Sequence, residues 1–334
     1  MATGSTKSIS QHPTKSRTLA ASLVIAAALI GGSAALVGRR VSARTAAAEA
    51  AFPPTGTILR VNGRAVHADV SGTGPDIVLI HGASGNTRDF TFDLAGRLAA
   101  RFRVIVFDRP GLGWSDDAGQ AGISPQGQAR ILREAARQLG VQRPVILGHS
   151  YGGAVAMAWA LQDADGTGAL VLLGGATMPW PGGLGGWYSL TSGRLGRAVA
   201  VPLVSAFAPL SQTRGTIASI FAPDPVPAGY ADYVGAGLTL RPASLGTNAR
   251  QVNGLRPFIV GMSQAYARLA VPVEIVHGSA DTIVPASIHA IPLSTLLPDA
   301  VLTLLPGIGH MPHHADPVAV LAAIDRAAAR ARLR

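Results

Sequence analysis

The chain has 334 residues, of which 48% are hydrophobic and 14% are charged. This composition suits one large folded domain with an appendage, and it excludes a disordered tail or a coiled coil. The absence of cysteine excludes disulfides, thiolate nucleophiles and cysteine-ligated zinc. Half of the net charge of +10 lies in residues 1–50, and the rest shows no basic run with interleaved aromatic residues. We therefore predict no nucleic-acid partner.

Residues 1–18 form a basic tail, and residues 19–38 are an uncharged stretch of twenty residues. A stretch of that length can cross a bilayer as a helix. Arg39 and Arg40 follow it directly, which favours a retained single membrane anchor over a cleaved export signal. We therefore expect membrane localisation through residues 19–38, with export after cleavage as the alternative. Basic residues flank both ends, so the orientation stays open.

After a linker over residues 39–56, short apolar runs alternate with helical segments. A hairpin turn at Asn62-Gly63 joins the first two predicted strands, Thr57–Val61 and Ala65–Val70. Six further runs predict strands buried on both faces: Ile77–Ile80, Val104–Phe107, Val145–Leu147, Leu170–Leu173, Val273–Val276 and Val301–Leu305. Helices are predicted at about Thr87–Ala100, Ser124–Leu139, Gly153–Gln162, Ala286–Leu297 and Val318–Arg332. This alternation predicts an α/β fold, a mostly parallel sheet with helices on both faces.

Residues 176–263 interrupt the alternation. This segment is rich in Gly and Pro, and it holds eight of the seventeen aromatic residues. An insertion of this size and apolar content is typical of a lid over a site. The sequence therefore predicts a core over residues 57–175 and 264–334 with a lid inserted between its two parts. Three aromatic residues of the lid are candidates for the substrate pocket: Trp180, Trp187 and Tyr188.

The most specific motif is GHSYG at residues 148–152, placed between a predicted buried strand and a predicted helix. A G-x-S-x-G motif in that position is typical of a nucleophile elbow, a strained turn that exposes a serine. Glycine is needed on both sides of the serine, because a Cβ there would collide with the neighbouring strand or helix. We therefore predict that Ser150 is a nucleophile.

A serine nucleophile needs a base, and the base needs an acid to orient it. Open α/β sheets build their sites at the carboxyl ends of the strands. Asp281 follows the predicted strand Val273–Val276, and His310 follows Val301–Leu305. The chain order Ser, Asp, His is the order that this architecture uses. Asp281 is therefore the predicted acid, and His310 the predicted base.

The negative charge that develops on the substrate oxygen requires two backbone N–H donors. Tyr151 supplies one candidate, since it begins the helix after Ser150, where the helix dipole also favours negative charge. Ala83 supplies the other, in the loop HGASG at residues 81–85 after the strand Ile77–Ile80. His81 is interpreted as a structural hydrogen-bonding residue.

Five ordered runs resemble the α/β-hydrolase family: HGASG, DRPGLGWS, GHSYGG, HGSADTIVP and GIGHMPHHADP. Within that family the chain most resembles the branch of small esterases, epoxide hydrolases and dehalogenases. The resemblance covers about Thr57 to Leu333, apart from the lid. It implies an α/β-hydrolase fold with a helical cap insertion, a triad of Ser150, Asp281 and His310, and Ala83 and Tyr151 as oxyanion donors.

The departures from this resemblance reduce the number of activities that we expect. Epoxide hydrolases and haloalkane dehalogenases carry an aspartate where this chain has Ser150, so those two activities are not expected. No cofactor is predicted, because the chain has neither a G-x-G-x-x-G after a strand nor a G-x-x-x-x-G-K motif. The cluster of His310, His313, His314 and Asp316 lacks an HExxH pattern, and no metal is predicted either.

The sequence thus predicts a serine hydrolase that cleaves an ester, or a related acyl bond, of an apolar small molecule through an acyl-enzyme. A cofactor-free perhydrolase and a C–C bond hydrolase are alternatives, because both share the triad. From a different class, a ligand receptor with residual hydrolysis also remains open. The sequence leaves the substrate and the oligomeric state open.

Overall fold

Eight strands form one sheet in a computed structural model, which describes residues 1, 4, 14–183 and 185–333. The strands occur along the chain as β1 Thr57–Val61, β2 Arg64–Ser71, β3 Asp76–Ile80, β4 Arg103–Phe107, β5 Val145–His149, β6 Ala169–Leu173, β7 Val273–Gly278 and β8 Ala300–Leu305. Their order across the sheet is β1-β2-β4-β3-β5-β6-β7-β8.

The sheet is antiparallel at one end and parallel elsewhere. β1 pairs antiparallel with β2 through the predicted hairpin, where Asn62 and Gly63 both have positive φ, at 49° and 77°. β2 is also antiparallel to β4, and the pairs from β4 to β8 are parallel. The parallel strands β3 to β7 are buried on both faces, as their continuous apolar runs predict.

The helices of the core cover both faces of this sheet. Outside the insertion the described helices are α1 Thr14–Ala51, α2 Arg88–Thr91, α3 Leu94–Ala99, α4 Pro125–Gln138, α5 Tyr151–Gln162, α14 Ala290–Leu296, α15 Pro312–Ala315 and α16 Pro317–Arg330. Side chains of α3 and α16 pack against one face, and those of α4, α5 and α14 pack against the other. The predicted α/β-hydrolase fold is confirmed.

Two predicted helices differ in their bounds. The helix expected over residues 87–100 is divided at Phe92 and Asp93, because Asp93 leaves helical geometry at φ −148°. The helix expected from Ala286 begins only at Ala290. This later start places Pro292 in the first turn, where its missing N–H removes no helical hydrogen bond.

Eight further described α-helices lie between β6 and β7, and we call them the inserted helices. They are α6 Gly186–Ser192, α7 Arg194–Ala198, α8 Ala200–Phe207, α9 Leu210–Phe221, α10 Tyr230–Tyr233, α11 Ala236–Thr239, α12 Pro242–Asn253 and α13 Leu255–Ser263. α12 packs against α6 and α8, and α1 packs against α8 and α11.

The predicted membrane anchor over residues 19–38 is wrong. Among the described residues, no helix combines the length and the apolar character that a bilayer crossing requires. Twelve of these twenty residues are Ala, Gly or Ser, whose small side chains give little transfer free energy into lipid. Membrane localisation and a membrane partner were predicted from this anchor alone, so neither prediction is supported. Most of the predicted basic tail lies outside the described residues.

The second half of α1 is joined to the inserted helices by polar contacts. Arg40 and Arg44 donate hydrogen bonds to the carbonyl of Ala206, at 2.8 and 3.2 Å, near the end of α8. Glu49 forms an ion pair of 2.9 Å with Arg241. These contacts hold the carboxyl-terminal half of α1 against the rest of the protein.

Candidate active site

Ser150 lies in a strained turn between β5 and α5. Its φ of 52° is unfavourable for a residue with a side chain. The flanking glycines permit the turn, because a Cβ on Gly148 would lie 2.3 Å from the carbonyl oxygen of Gly152. A Cβ on Gly152 would lie 2.1 Å from the carbonyl oxygen of Ile80. The local geometry is therefore that of a nucleophile elbow.

Asp281 and His310 form a buried pair at the carboxyl ends of β7 and β8. The Nδ1 of His310 lies 2.7 Å from Oδ2 of Asp281. Since the carboxylate accepts, Nδ1 carries the proton, and the neutral ring then has a lone pair on Nε2. This tautomer is the one that a general base for serine requires.

The backbone holds this pair beside the elbow. The N–H of Ala176 donates to the carbonyl of Ser150 at 3.0 Å. A Cβ on Gly174, two residues earlier, would lie 3.4 Å from both the Oδ2 of Asp281 and the Nδ1 of His310. The segment after β6 thus contacts Ser150 on one side and the Asp281–His310 pair on the other.

The carboxylate of Asp281 is fully hydrogen-bonded. Its Oδ1 accepts from the backbone N–H groups of Ile283 and Val284, each at 2.9 Å. The Nε2 of His277 lies 3.3 Å from Oδ2 and 2.6 Å from the carbonyl of Val284. Burial by itself raises the pKa of Asp281, but the bonds from His277 and His310 hold that pKa well below its usual range. Asp281 is therefore ionised at neutral pH.

The two other acids near these strands have structural roles. Asp316 caps α16 by accepting the backbone N–H of Ala319 at 3.0 Å. Asp299 pairs with Arg330 on the protein surface. Neither carboxylate contacts His310 among the described hydrogen bonds and ion pairs.

The loop after β3 runs directly beside the elbow. A Cβ on Gly82 would lie 3.0 Å from the Cβ of Ser150, and Ala83 is the next residue. Ser84 follows with a φ of 57°. Its backbone N–H donates to Oδ1 of Asn248 on α12 at 2.7 Å, and its carbonyl accepts from Thr239 at 2.7 Å. The inserted helices therefore fix the loop that carries Ala83.

Arg109 supports the same loop from within the core. This side chain is fully buried, and burial lowers its pKa to about 10. Its guanidinium donates to the carbonyls of His81 and Gly82, each at 3.0 Å. It also donates to Gln128 and to Gln251 of α12, each at 2.9 Å. One buried cation thus links the loop after β3 to an inserted helix.

The three aromatic residues predicted for the pocket have different surroundings. Trp180 is buried, and its ring lies 5.8 Å from that of His289. Tyr188 packs against the main core, and burial raises its pKa. Trp187 is 45% exposed. A groove of about 810 Å³ lies elsewhere, between α1 and the inserted helices, and Ser150 does not line it.

For several polar residues around the site, no role was predicted from the sequence. His277 lies four residues before Asp281 in the run HGSADTIVP, and Arg109 lies in DRPGLGWS, so both fall within motifs that could have indicated them. Asn248 and Gln251 lie in the insertion, where no motif marks them. Their contacts arise only when α12 packs over the loop after β3.

Residues 77–324 match the model of the alpha/beta hydrolase family. This match covers about three quarters of the chain, and it agrees with the sheet order and with the elbow at Ser150. The chain therefore belongs to the alpha/beta hydrolase family.

Similar proteins include an uncharacterised protein and named hydrolases. An uncharacterised protein of Mycobacterium tuberculosis is 30% identical over 294 residues, which cover 82% of this chain and 81% of that protein. A 2-hydroxy-6-oxononadienedioate/2-hydroxy-6-oxononatrienedioate hydrolase of Cupriavidus pinatubonensis is 34% identical over 116 residues, covering 34% of this chain and 40% of that enzyme. The esterase RhEst1 from a Rhodococcus species shares the fold with a TM-score of 0.62 at 24% identity, over 80% of this chain and 96% of that structure.

Proposed function

We propose that the protein is a serine hydrolase that cleaves an ester, or a related acyl bond, of an apolar small molecule. The observation that carries this proposal is the 2.7 Å pair of Asp281 and His310 beside the elbow of Ser150. Ser150 is the proposed nucleophile, His310 the base, and Asp281 the acid that orients the base.

In the proposed mechanism, His310 removes the proton of Ser150 as the serine oxygen attacks the carbonyl carbon of the substrate. The imidazolium that forms is stabilised by Asp281, whose depressed pKa keeps the carboxylate ionised. His310 then returns the proton to the leaving alcohol, which departs and leaves an acyl-enzyme. A water molecule activated by His310 releases the acid and restores Ser150.

The backbone N–H groups of Ala83 and Tyr151 are the proposed oxyanion donors. Tyr151 is the first residue of α5, where the N-terminal end of the helix favours negative charge. Ala83 follows Gly82, whose backbone lies against Ser150. The bond from Ser84 N–H to Asn248 and the bond from Arg109 to Gly82 keep this loop in place before the substrate arrives, which is the condition for electrostatic preorganisation.

We propose that residues 176–263, which include the inserted helices, form a cap that lines the acyl or alcohol pocket, with Trp180, Trp187 and Tyr188 as contacts. Their apolar character favours substrates with hydrocarbon groups, where each buried methylene contributes up to about 0.8 kcal/mol. A series of p-nitrophenyl esters of increasing acyl length should show kcat/KM rising with length until the pocket is filled. The best turnover on charged, highly polar esters would contradict this lining.

The test of the function is steady multiple turnover of a p-nitrophenyl ester by the full chain, together with covalent labelling by a fluorophosphonate. Ser150→Ala removes the group that forms the acyl-enzyme, so turnover should drop by several orders of magnitude and labelling should vanish. Ser294→Ala is the matched control, because the hydroxyl of Ser294 is exposed and bonds to Ile291 within α14. Wild-type turnover by Ser150→Ala would exclude the mechanism.

C–C bond hydrolysis is the second candidate, and the likeness to the hydrolase of Cupriavidus pinatubonensis favours it. The same fluorophosphonate labelling is expected, so the substrate distinguishes the two. Faster turnover of a 2-hydroxy-6-oxo-dienoate than of any simple ester would assign the protein to this reaction instead.

A further inference from the structure

Three buried side chains from distant parts of the chain converge beside the elbow, where a Cβ on Gly82 would lie 3.1 Å from Nδ1 of His149. Asp89 lies on α2, His149 ends β5, and His313 lies on α15. One donor atom of each lies within 4.8 Å of those of the other two. Their exposed fractions are 4%, 4% and 0%. None of the three takes part in the proposed hydrolysis.

His149 leaves one ring nitrogen without a partner. Its Nε2 lies 2.9 Å from the carbonyl oxygen of His310, so Nε2 must donate. A neutral imidazole has one N–H, and Nδ1 therefore carries a lone pair. This Nδ1 is buried and unpartnered within the described structure, and it lies 3.9 Å from Oδ2 of Asp89. A lone pair facing a carboxylate oxygen is repulsive unless a positive group lies between them.

His313 has a similar arrangement. Its Nε2 lies 3.3 Å from Oδ1 of Asp89, and its Nδ1 is buried with no partner among the described residues. His313 thus has one ring nitrogen beside Asp89 and one buried nitrogen without a described partner.

Asp89 is a buried carboxylate with no Lys or Arg partner among the described ion pairs. Within the described part of the chain its ion-pair partners are the histidines His149, His313 and His314. The hydroxyl of Tyr230 donates to Oδ1 at 2.8 Å, which satisfies an oxygen but adds no positive charge. An uncompensated buried charge is costly.

We propose that Asp89, His149 and His313 bind one divalent transition-metal ion of the Zn²⁺ class. Two imidazole nitrogens and one carboxylate oxygen are a donor set that suits Zn²⁺ and Co²⁺. With Zn–N distances of about 2.0–2.1 Å, the widest donor pair must close by roughly 1.5 Å, which side-chain rotations supply.

The position of the ion indicates a structural role. It would connect α2, the end of β5 and α15, and α15 follows His310 directly. The bond from His149 to the carbonyl of His310 joins the site to the catalytic loop. The ion would thus restrain the backbone that carries the base.

The test is a titration of the full chain, stripped with a chelator, with Co²⁺ and then Zn²⁺. One equivalent of Co²⁺ should give visible d–d absorption bands of a low-coordinate N/O site, and Zn²⁺ should displace it. Zn²⁺ should also raise Tm, because it binds the folded state. Absence of stoichiometric binding by the wild-type chain would overturn the proposal, whatever the variants do.

Two variants locate the ion. His313→Gln removes one ligand and should weaken the affinity for Co²⁺ by at least about 100-fold, more than the loss of an outer hydrogen-bond partner would cause. His67→Gln is the matched control, since His67 and Asp108 are another buried pair at 2.7 Å, beside a second histidine, His81. The nitrogens of His81 are both hydrogen-bonded, so that group should not bind. Unchanged affinity in His313→Gln, or loss of binding in His67→Gln, would refute the site.

Discussion

The guanidinium carbon of Arg109 lies 4.2 Å from the centroid of the Tyr151 ring. Both side chains are buried, and the same guanidinium donates to the carbonyls of His81 and Gly82. Arg109 therefore contacts both segments that carry the proposed oxyanion donors. Its planar fork makes several bonds at fixed angles, which a lysine ammonium cannot reproduce.

Arg109→Lys should lower kcat for ester hydrolysis by about 10–100-fold with little change in KM, because a displacement of about 1 Å at the oxyanion hole weakens transition-state binding. Each buried carbonyl left without a donor should also lower the free energy of unfolding by about 1–3 kcal/mol. Steady-state kinetics and urea unfolding measure the two effects. Arg137→Lys, on the exposed face of α4, is the control. A folded Arg109→Lys protein with wild-type kcat would remove Arg109 from any positioning role.

Asp281→Asn should lower kcat/KM by up to about 10⁴, because the amide favours the wrong tautomer of His310. Labelling by a fluorophosphonate should survive at a reduced rate, since Ser150 is still present. Asp299→Asn and Asp316→Asn should retain rates near wild type, because these acids pair with Arg330 and cap α16. If one of those two variants lost activity while Asp281→Asn kept it, the acid would be misassigned.

The pH dependence of kcat/KM should show one acid limb with a slope of about one. A protonated His310 cannot accept the proton of Ser150, so the rate falls as acid is added. Asp281 adds no second step, because hydrogen bonds from His277 and His310 hold its pKa well below its usual range. Initial rates on a neutral ester in buffers of constant ionic strength provide the profile. A slope near two would show that Asp281 titrates in the same range.

The free energy of unfolding should fall as the pH drops from about 6.5 towards 4. Burial is the first cause that lowers the pKa of His81 and of His289 to about 4, whereas an unfolded histidine titrates near 6.5. Between these values the unfolded chain binds more protons than the folded one, so acid favours unfolding. Each histidine should contribute up to about 1.4 kcal/mol per pH unit. Urea unfolding at several pH values measures the slope.

His289→Gln is the matched variant for this linkage. Its side-chain carbonyl can still accept the backbone N–H of Met178, which His289 Nδ1 accepts at 3.1 Å. The slope of unfolding free energy against pH should therefore fall by the contribution of at most one proton, about 1.4 kcal/mol per pH unit. An unchanged slope would mean that His289 does not titrate differently in the two states.

The sequence by itself determined the sheet and the positions of the catalytic candidates along the chain. Strands buried on both faces need continuous apolar runs, and the elbow at Ser150 needs glycine where two backbones approach closely. Both features are therefore determined by a short stretch of sequence. Asp281 and His310 are placed by the same rule, because parallel strands end at one edge of the sheet.

Only the tertiary structure decided which side chains meet across long sequence distances. Asp89 lies 60 residues from His149 and 224 from His313, and no local pattern predicts that they share one buried volume. Asn248 reaches Ser84 because α12 packs over the loop after β3. Arg40, Arg44 and Glu49 of α1 contact the insertion, and no motif in the sequence marks these contacts. Such contacts depend on packing between elements, which hydropathy and motif spacing do not encode.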